Sequence, residues 1–425
     1  MSIFLRTLRL LVLIALLEFQ VIPQATVIAE ITVSCEFPGG SAEVREINQT
    51  DHVISISPKI VVGRGWPCWW FLRMDGLPTG RCVTLKVHAN PRAYRENLVL
   101  SSQWMQPDQA VVSCHAADRA QWYQTDPCER HDGVATYQIL ATCSTMWAAW
   151  GVPFLTADAD LVLARVSDRL PESERFELAR TRGGRSVPGI RIGGGTSAKP
   201  ARLGVWVQAR QHAWEVGGSW VGEGFIDWAS GADADAVQLR DIATIYFIPI
   251  MDVDNVEAGA GGKDAVPRDH NRDWSDSPVY PEVRAAQRRI LSLDQEELLD
   301  VFIDLHNPGA SERQPYFFGP NQIEEMPAEQ QQNYVSWQAI GQAQITGPLP
   351  LLQNYLFATY VKSPEESGRM SANWVRYHTS PHVLSTTLET AWNTPQSQPA
   401  GYRTVGRQLG QAVQRYLSEN RRFSR

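Results

Sequence analysis

A histidine and a glutamate stand three positions apart in the sequence, as His212 and Glu215. An imidazole nitrogen and a carboxylate oxygen are both donors that a divalent zinc ion accepts. On a turn, two side chains at this spacing can point at one spot. The pair therefore indicates a candidate zinc site. A catalytic zinc, however, needs three protein ligands and one open position for water, so the rest of the chain must supply another donor.

The third donor is expected from the end of a second strand. The apolar run Val301–His306 has the length of a buried strand and delivers His306 at its carboxyl edge, just before the turn at Asn307-Pro308-Gly309. A histidine that merely caps the strand is the alternative interpretation. Together, His212, Glu215 and His306 predict one zinc ion per chain.

Residues that could act on a substrate follow in the same chain order. Asn271 and Arg272 stand side by side in a loop between the two ligand regions, where they can bind a carboxylate through charge-assisted hydrogen bonds. Glu389 follows the apolar run Leu384–Leu388. A carboxylate beside a zinc-bound water can serve first as a general base and then as a general acid. These residues predict hydrolytic chemistry.

Alternating strands and helices are expected to position these residues. The run Leu203–Val207 reads as a buried strand directly before the His212 turn, and residues 217–229 read as the helix after it. Further strands are expected at Thr244–Pro249, Val301–Leu305 and Leu384–Leu388, and helices at Asp158–Val166, Pro281–Leu291, Gln295–Leu299, Gln330–Gln344 and Val405–Glu419. The order predicts an α/β fold with a mixed, mostly parallel sheet flanked by helices, and places the chemistry at the carboxyl ends of its strands.

The chain before residue 150 has a different pattern. Short runs rich in β-forming residues, such as Val53–Ser57 and Cys82–Ala89, are broken at short intervals by Gly, Pro, Asn and Asp. This predicts a small antiparallel β-sandwich over residues 30–152, ahead of an α/β domain over 153–425. All six cysteines lie before residue 150. Their even number favours disulfides in an exported chain, and Cys114 with Cys128 is a plausible pair because the stretch between them is polar.

The first 29 residues have the composition of an export signal. Two arginines precede the apolar run Leu10–Leu17, and Ala25 and Ala29 are candidate cleavage positions. Because the run is too short to cross a bilayer comfortably, we expect a secreted or periplasmic protein without a membrane span. The net charge of −7 argues against a nucleic-acid-binding function, which would need a basic face.

Taken in chain order, these motifs resemble those of the zinc carboxypeptidases, and most strongly the branch of the cytosolic carboxypeptidases, which trim glutamate tails. The quoted segments are His212-Ala213-Trp214-Glu215, Ser219-Trp220-Val221, Gly224-Phe225-Ile226-Asp227, Asp269-His270-Asn271-Arg272-Asp273-Trp274, Ile303-Asp304-Leu305-His306 and Thr387-Leu388-Glu389. Such enzymes carry a β-sandwich ahead of the catalytic domain, and the segment Cys68–Leu77 resembles that part.

The resemblance implies a zinc metallocarboxypeptidase, a hydrolase that removes C-terminal residues from peptides or proteins. The three predicted ligands would hold the zinc. Asn271 and Arg272 would bind the terminal carboxylate of the substrate, and Glu389 would activate the attacking water.

Two functional positions of the family have no clear counterpart in this sequence. The family's oxyanion-stabilising arginine lies upstream of Asn-Arg; here that loop offers Lys263 and Arg268, and we prefer Lys263. Tyr377 is the nearest candidate for the family's substrate-capping tyrosine. Lys263 and Arg268 would also suit an acidic side chain of the substrate. Two alternatives remain open: a zinc peptidase or amidase that acts on cell-wall peptides, and a non-catalytic homologue that only binds peptide termini.

Overall fold

A computed structural model describes residues 30–196, 199–320, 323–357, 360–361 and 363–419. The expected export signal, residues 1–29, lies outside the described residues and stays a prediction. Among the helices that are described, none has the length and apolar character needed to cross a membrane.

Ten strands and one short α-helix, besides a 3₁₀ helix at Arg119–Gln121, occupy residues 30–149. They are β1 (Thr32–Ser34), β2 (Glu43–Asn48), β3 (Val53–Ser57), β4 (Phe71–Asp75), β5 (Cys82–His88), α1 (Ser102–Met105), β6 (Val111–Ser113), β7 (Tyr123–Gln124), β8 (Glu129–His131), β9 (Val134–Leu140) and β10 (Thr145–Ala149). They form two five-stranded sheets, with the orders β1-β4-β10-β6-β7 and β2-β3-β5-β9-β8. Trp70 contacts Tyr137 of β9 with 6.0 Å between ring centroids, so aromatic side chains contribute to the core of this region.

The N-terminal sheets confirm the predicted β domain ahead of the α/β fold, with one difference in strand direction. All pairings are antiparallel except that of β3 with β5, which is parallel. The expectation of a purely antiparallel sandwich is therefore corrected at this pair. The chain leaves β3 at Ser57 and returns in the same direction through β4, which belongs to the other sheet.

The second part of the chain contains nine strands, nine α-helices and two 3₁₀ helices (His270–Arg272 and Ile323–Glu325) among its described residues. The strands are β11 (Glu174–Arg180), β12 (Ser186–Gly193), β13 (Gly195–Thr196), β14 (Lys199–Pro200), β15 (Leu203–Ala209), β16 (Ala243–Ile248), β17 (Val301–His306), β18 (Tyr316–Phe318) and β19 (Leu384–Glu389). The helices are α2 (Thr156–Arg169), α3 (Val216–Ala229), α4 (Ala234–Ile242), α5 (Val253–Glu257), α6 (Pro281–Gln295), α7 (Ala328–Gln344), α8 (Pro364–Gly368), α9 (Ser371–His378) and α10 (Pro399–Glu419).

Seven of these strands form one mixed sheet in the order β11-β12-β16-β15-β17-β19-β18. The central strands β16, β15, β17 and β19 run parallel, whereas the pairings toward both edges are antiparallel. Every residue of β17 and nearly every residue of β15 is buried. Continuous apolar runs are typical of parallel strands that helices cover on both faces, and the predicted α/β fold is confirmed.

Glycines allow two of the covering helices to lie unusually close together. A Cβ atom at Gly224 of α3 would lie 2.2 Å from the carbonyl oxygen of Arg403 in α10, and one at Gly406 of α10 would lie 1.9 Å from that of Val221 in α3. Both distances are too short for any other residue. The C-terminal helix therefore fixes α3, the helix that begins directly after Glu215.

The helix predicted at Gln295–Leu299 is absent, because α6 ends at Gln295. Glu297 has a left-handed backbone with φ 56°. Its N–H donates to the carbonyl of Asp294 at 3.0 Å, and the N–H of Leu298 donates to the carbonyl of Leu293 at 2.7 Å. This pair of bonds closes a helix C-terminus, so the chain turns at Glu297 and runs on into β17.

The predicted disulfide between Cys114 and Cys128 is wrong, because Cys114 pairs with Cys143. Strands β6 and β10, which these two cysteines flank, are hydrogen-bonded neighbours, and this pairing brings the two Cα atoms to 6.1 Å. The thiol of Cys128 instead donates to the carbonyl of Pro107 at 3.6 Å. The polarity of the intervening loop carried no information about which strands are adjacent.

Candidate active site

His212, Glu215 and His306 converge at the carboxyl edge of the parallel strands. The Nδ1 atom of His212 lies 2.7 Å from one carboxylate oxygen of Glu215, and the Nδ1 atom of His306 lies 2.7 Å from the other. One donor atom from each side chain lies within 4.8 Å of the other two. All three residues are buried. The cluster fits a single small cation.

The turn that carries His212 is held by buried contacts. Arg210 has a left-handed backbone with φ 62°, and its buried guanidinium donates to the carbonyl of Ala213. A Cβ atom at Gly218, in the first turn of α3, would lie 2.6 Å from the carbonyl oxygen of Leu305 in β17. Glycine therefore lets the start of α3 approach β17, which brings the first two candidate ligands next to the third.

A second carboxylate supports each histidine ring. Asp269 Oδ1 lies 3.1 Å from Nε2 of His212, and Asp304 Oδ2 lies 3.1 Å from Nε2 of His306. A carboxylate at Nε2 favours the tautomer with the proton on that nitrogen, which leaves the lone pair of Nδ1 free for a metal. This arrangement is common around zinc, and the donor set therefore fits the predicted zinc ion.

The ionisation of the cluster also fits a cation. Burial alone would raise the pKa of Glu215, but the imidazoles of His212 and His306 outweigh it and lower this pKa to about 2. Burial disfavours the charged form of His306, but the carboxylates of Asp304 and Glu215 outweigh it and raise the pKa of His306 well above its usual range. Buried carboxylates thus concentrate negative charge at the site, which a divalent cation would neutralise.

Glu389 lies beside the third ligand because of the sheet register. In the parallel pair of β17 and β19, His306 is the neighbour of Glu389. The Oε2 atom of Glu389 is buried and has no hydrogen-bond partner among the described residues. Burial raises the pKa of Glu389 to about 7, and the nearby charge of Glu215 adds to the effect. A carboxylate with this pKa can accept and release a proton near neutral pH.

A cavity of about 550 Å³ contains this cluster and two cationic residues. Lys263 and Arg272 line it together with Asn271 and Glu389. The Nζ atom of Lys263 lies 3.9 Å from Oδ2 of Asp269, the carboxylate that supports His212. The structure therefore brings together six of the residues that the sequence singled out as ligands, base or substrate contacts, and places Lys263 with them.

Arg268 and Tyr377 lie away from the lining of this cavity. Arg268 donates to Asp273 at 3.0 Å, and its carbonyl accepts from the hydroxyl of Tyr280. Tyr377, in α9, is 58 % exposed, and its hydroxyl accepts from Arg376 at 2.8 Å. Both residues take part in local contacts that explain their presence without a role in the site.

Tyr360 lines the cavity, although the sequence did not single it out. Its hydroxyl contacts the guanidinium of Arg272, and its ring centroid lies 5.9 Å from Nζ of Lys263. Tyr360 stands in a loop whose sequence has no apolar periodicity. No local sequence pattern relates its position to that of Arg272. Its proximity to Arg272 could be found only from the tertiary structure.

Tryptophan side chains form one wall of the cavity and were also missed as site residues. Trp66 and Trp104 come from the N-terminal β domain, and Trp214 stands between the ligands His212 and Glu215. The ring centroids of Trp66 and Trp104 are 4.7 Å apart, and those of Trp104 and Trp214 are 5.8 Å apart. None of these three tryptophans was predicted to line the site.

Comparison with known proteins connects this geometry to a family. Residues 162–289, which include His212 and Glu215, match the zinc carboxypeptidase family. Cytosolic carboxypeptidase 3 of Bos taurus is 30 % identical over 113 residues, 26 % of this chain and 11 % of the relative. Cytosolic carboxypeptidase 2 of Homo sapiens is 31 % identical over 108 residues, 25 % of this chain and 12 % of the relative. The chain thus spans about a tenth of the length of these curated relatives.

A solved structure covers much more of the chain. The metallo-carboxypeptidase from Burkholderia cenocepacia superposes with a TM-score of 0.77 at 18 % identity, over 92 % of this chain and 99 % of that chain. This likeness shows a shared fold that includes the N-terminal β domain. The resemblance to the zinc carboxypeptidases that the order of the motifs predicted is therefore confirmed for residues 162–289, and the shared fold extends beyond that segment.

Proposed function

We propose that the protein is an exported zinc carboxypeptidase that hydrolyses the last peptide bond of peptides or proteins. The observation that carries the proposal is the convergence of three candidate ligands, a carboxylate of raised pKa and two cationic residues on one cavity. The family match and the shared fold support it. We also propose that the catalytic domain begins near residue 153.

Arg272 and Asn271 would bind the terminal carboxylate of the substrate. Arg272 is held by its own bond to the carbonyl of Asn271 at 2.8 Å and by Glu366, whose carboxylate lies 3.6 Å away. The amide oxygen of Asn271 accepts from the backbone N–H of Ser371 at 2.8 Å, which fixes the orientation of that amide. A guanidinium positioned in this way can form the charge-assisted bonds that a carboxylate requires.

His212, Glu215 and His306 would hold the zinc, and Glu389 would act on the water. When bound, zinc supplies a Lewis acid that polarises a carbonyl and lowers the pKa of water. Glu389 would take a proton from the attacking water as the new C–O bond forms. It would then deliver that proton to the nitrogen of the leaving amino acid as the C–N bond breaks. Lys263 would stabilise the negative charge that develops on the carbonyl oxygen.

Export is the part of the proposal that rests on the sequence of the first 29 residues. The disulfide between Cys114 and Cys143 supports it, because disulfides persist mainly in oxidising compartments. The substrates would then be peptides outside the cytoplasm.

Metal content and peptide cleavage, measured on the same preparation, test the proposal. We expect one zinc per chain and release of single C-terminal amino acids from a mixed peptide library. A chelator should abolish the release, and added zinc should restore it. The library should include glutamate-tailed peptides and cell-wall stem peptides, since these separate the substrate alternatives. Internal cleavage, or activity without zinc, would overturn the proposal.

A further inference from the structure

The aromatic wall of the cavity consists partly of residues from outside the catalytic domain. Trp66 and Trp104 belong to the N-terminal β domain, yet both line the cavity that contains the candidate zinc ligands. Both side chains are partly exposed, whereas Trp214 behind them is buried. Two adjacent aromatic side chains that keep free surface in a cleft can pack against a ligand.

Trp66 is held rigidly against the catalytic domain. Its backbone N–H donates to the carbonyl of Lys263 at 2.9 Å, and its indole N–H donates to Asp264 at 2.8 Å. Gly65 before it has φ 83°, and a Cβ atom there would lie 2.2 Å from the carbonyl oxygen of Lys263. Only glycine permits this close approach, so the position of Trp66 is set before any substrate binds.

Trp104 lies over the turn that follows the third ligand. A Cβ atom at Gly309 would lie 3.8 Å from Cη2 of Trp104. The carbonyl of Trp104 accepts from the indole N–H of Trp150 at 2.9 Å. The ring of Trp104 therefore meets the catalytic domain three residues after His306, on the side where β17 ends.

The contacts along the cavity give an order that starts at the proposed carboxylate site. Tyr360 contacts Arg272, Lys263 lies near both Tyr360 and Trp66, and Trp66 packs against Trp104. On the proposed function, the terminal carboxylate binds Arg272 and the scissile carbonyl lies near Lys263. The scissile carbonyl belongs to the residue that precedes the C-terminal one. The side chain of that residue then lies against the two tryptophans.

We propose that Trp66 and Trp104 form a subsite that selects a large aromatic side chain at the residue preceding the C-terminal one. The inference rests on the proposed function and extends it to a substrate class. Aromatic rings pack favourably against tryptophan in tilted or edge-on geometries. A cationic side chain of the substrate would also interact with an indole ring. However, Nζ of Lys263 already lies 5.5 Å from the centroid of Trp66, and its positive charge would repel a second cation.

The test uses the full-length zinc-loaded protein and peptides that differ only at the penultimate residue. The C-terminal residue is kept constant, and the penultimate residue is Ala, Leu, Phe or Trp. We expect kcat/KM to be roughly 10-fold or more higher for Trp than for Ala, as a hydrophobic subsite allows. Trp66→Leu and Trp104→Leu should bring this ratio close to one, whereas Trp66→Phe and Trp104→Phe should keep most of it.

Trp147→Leu is the matched control. Trp147 is a partly exposed tryptophan of the same domain, and it packs under Arg73 instead of lining the cavity. This variant should leave both the ratio and the rates unchanged. Equal losses for the Ala and Trp peptides in the Trp66 and Trp104 variants would show a merely structural role and overturn the proposal, as would equal cleavage of all four peptides by the unaltered protein.

A binding measurement separates failure of the subsite from failure of the proposed function. The Glu389→Gln variant, loaded with zinc, should bind the peptide with penultimate Trp more tightly than that with penultimate Ala in calorimetry. If no peptide is cleaved but this difference persists, the subsite stands and the hydrolytic function fails. If peptides are cleaved but the binding difference is absent, the function stands and the subsite proposal is wrong.

Discussion

The two sides of the cleft are built in different ways. On the metal side, His306 and Glu389 lie at the ends of neighbouring parallel strands, and His212 and Glu215 lie on the turn that follows a third strand. On the opposite side, the lining residues Trp66 and Tyr360 come from loops and Trp104 comes from the short helix α1; Trp66 and Trp104 belong to the N-terminal β domain. Strand register fixes the first group, whereas contacts of loops and of α1 fix the second, which we call the loop side.

This difference suggests that the two sides of the cleft have different functions. The metal side requires a fixed geometry, because ligand atoms must meet within a few tenths of an ångström, and buried strand ends provide it. The loop side can vary without disturbing the sheet, so it is suited to substrate selection. Substitutions on the metal side should therefore change catalysis or metal binding, and those on the loop side should change preference or KM.

Glu389→Gln should have the largest effect. It preserves size but removes the group that would accept the proton, so we expect kcat to fall by about 10²–10⁴-fold while zinc remains bound. Steady-state kinetics with elemental analysis measure both quantities. Glu312→Gln is the control, since Glu312 is another acid lining the cavity, but on a loop. If the two variants lose similar activity, strand-end placement does not identify the catalytic acid.

The buried layer beneath the metal side should make stability depend on pH. His270 is buried, with Nδ1 2.6 Å from Gln211 and Nε2 3.1 Å from Glu282. Burial would lower its pKa, but the bond to Glu282 and the nearby charge of Asp252 outweigh this and raise the pKa from 6.5 to about 9. Its charged form therefore stabilises the fold fully below pH 6.5, and this contribution is lost as the pH rises through 9.

Urea unfolding at pH 6 and pH 10, with a chelator present throughout, measures this contribution. The loss of stability with rising pH should be larger for the unaltered protein than for His270→Gln, by up to about 3 kcal/mol. The variant serves as the control because it retains every other titrating group. An identical pH dependence in the two proteins would show that folding does not raise the pKa of His270.

Asp304→Asn should weaken zinc binding without removing a ligand. Asp304 contacts Nε2 of His306, and the loss of such a partner costs roughly 10–100-fold in metal affinity. Competition with a chromophoric chelator measures the zinc affinity of each variant. Asp300→Asn is the matched control, because Asp300 is also buried but binds the N–H of Gly204 at the other end of the same strand. Equal affinities for Asp304→Asn and the unaltered protein would contradict the positioning role.

The sequence predicted the metal side well for a physical reason. An apolar run of strand length followed by a polar residue marks a strand end, and parallel strands bring their carboxyl ends to one edge. Val301–Leu305 before His306 and Leu384–Leu388 before Glu389 both show this pattern, and the observed strands begin at the predicted residues and end one residue later. The mixed sheet was predicted from the alternation of strand and helix patterns along the chain. The N-terminal β domain was predicted from short β-forming runs separated by turn residues.

The loop side and the strand pairings could not be predicted from local patterns. Trp66 reaches the cleft only because its loop pairs with residues near Lys263, almost 200 positions later in the chain. Cys143 meets Cys114 because β6 and β10 are adjacent, which no local pattern indicates. Such contacts depend on the tertiary structure, and a single sequence carries no periodic signal for them.

The smallest expected effect concerns two tyrosines, Tyr360 beside Arg272 and Tyr377 beside Arg376. Tyr360 and Tyr377 are 56 % and 58 % exposed, so exposure does not separate them, but only Tyr360 lines the cavity. Tyr360→Phe removes one hydroxyl that contacts Arg272, which should raise KM about fivefold, the value of one hydrogen bond. Tyr377→Phe should leave KM unchanged. The reverse result would restore Tyr377, the residue expected from the sequence, as the substrate contact.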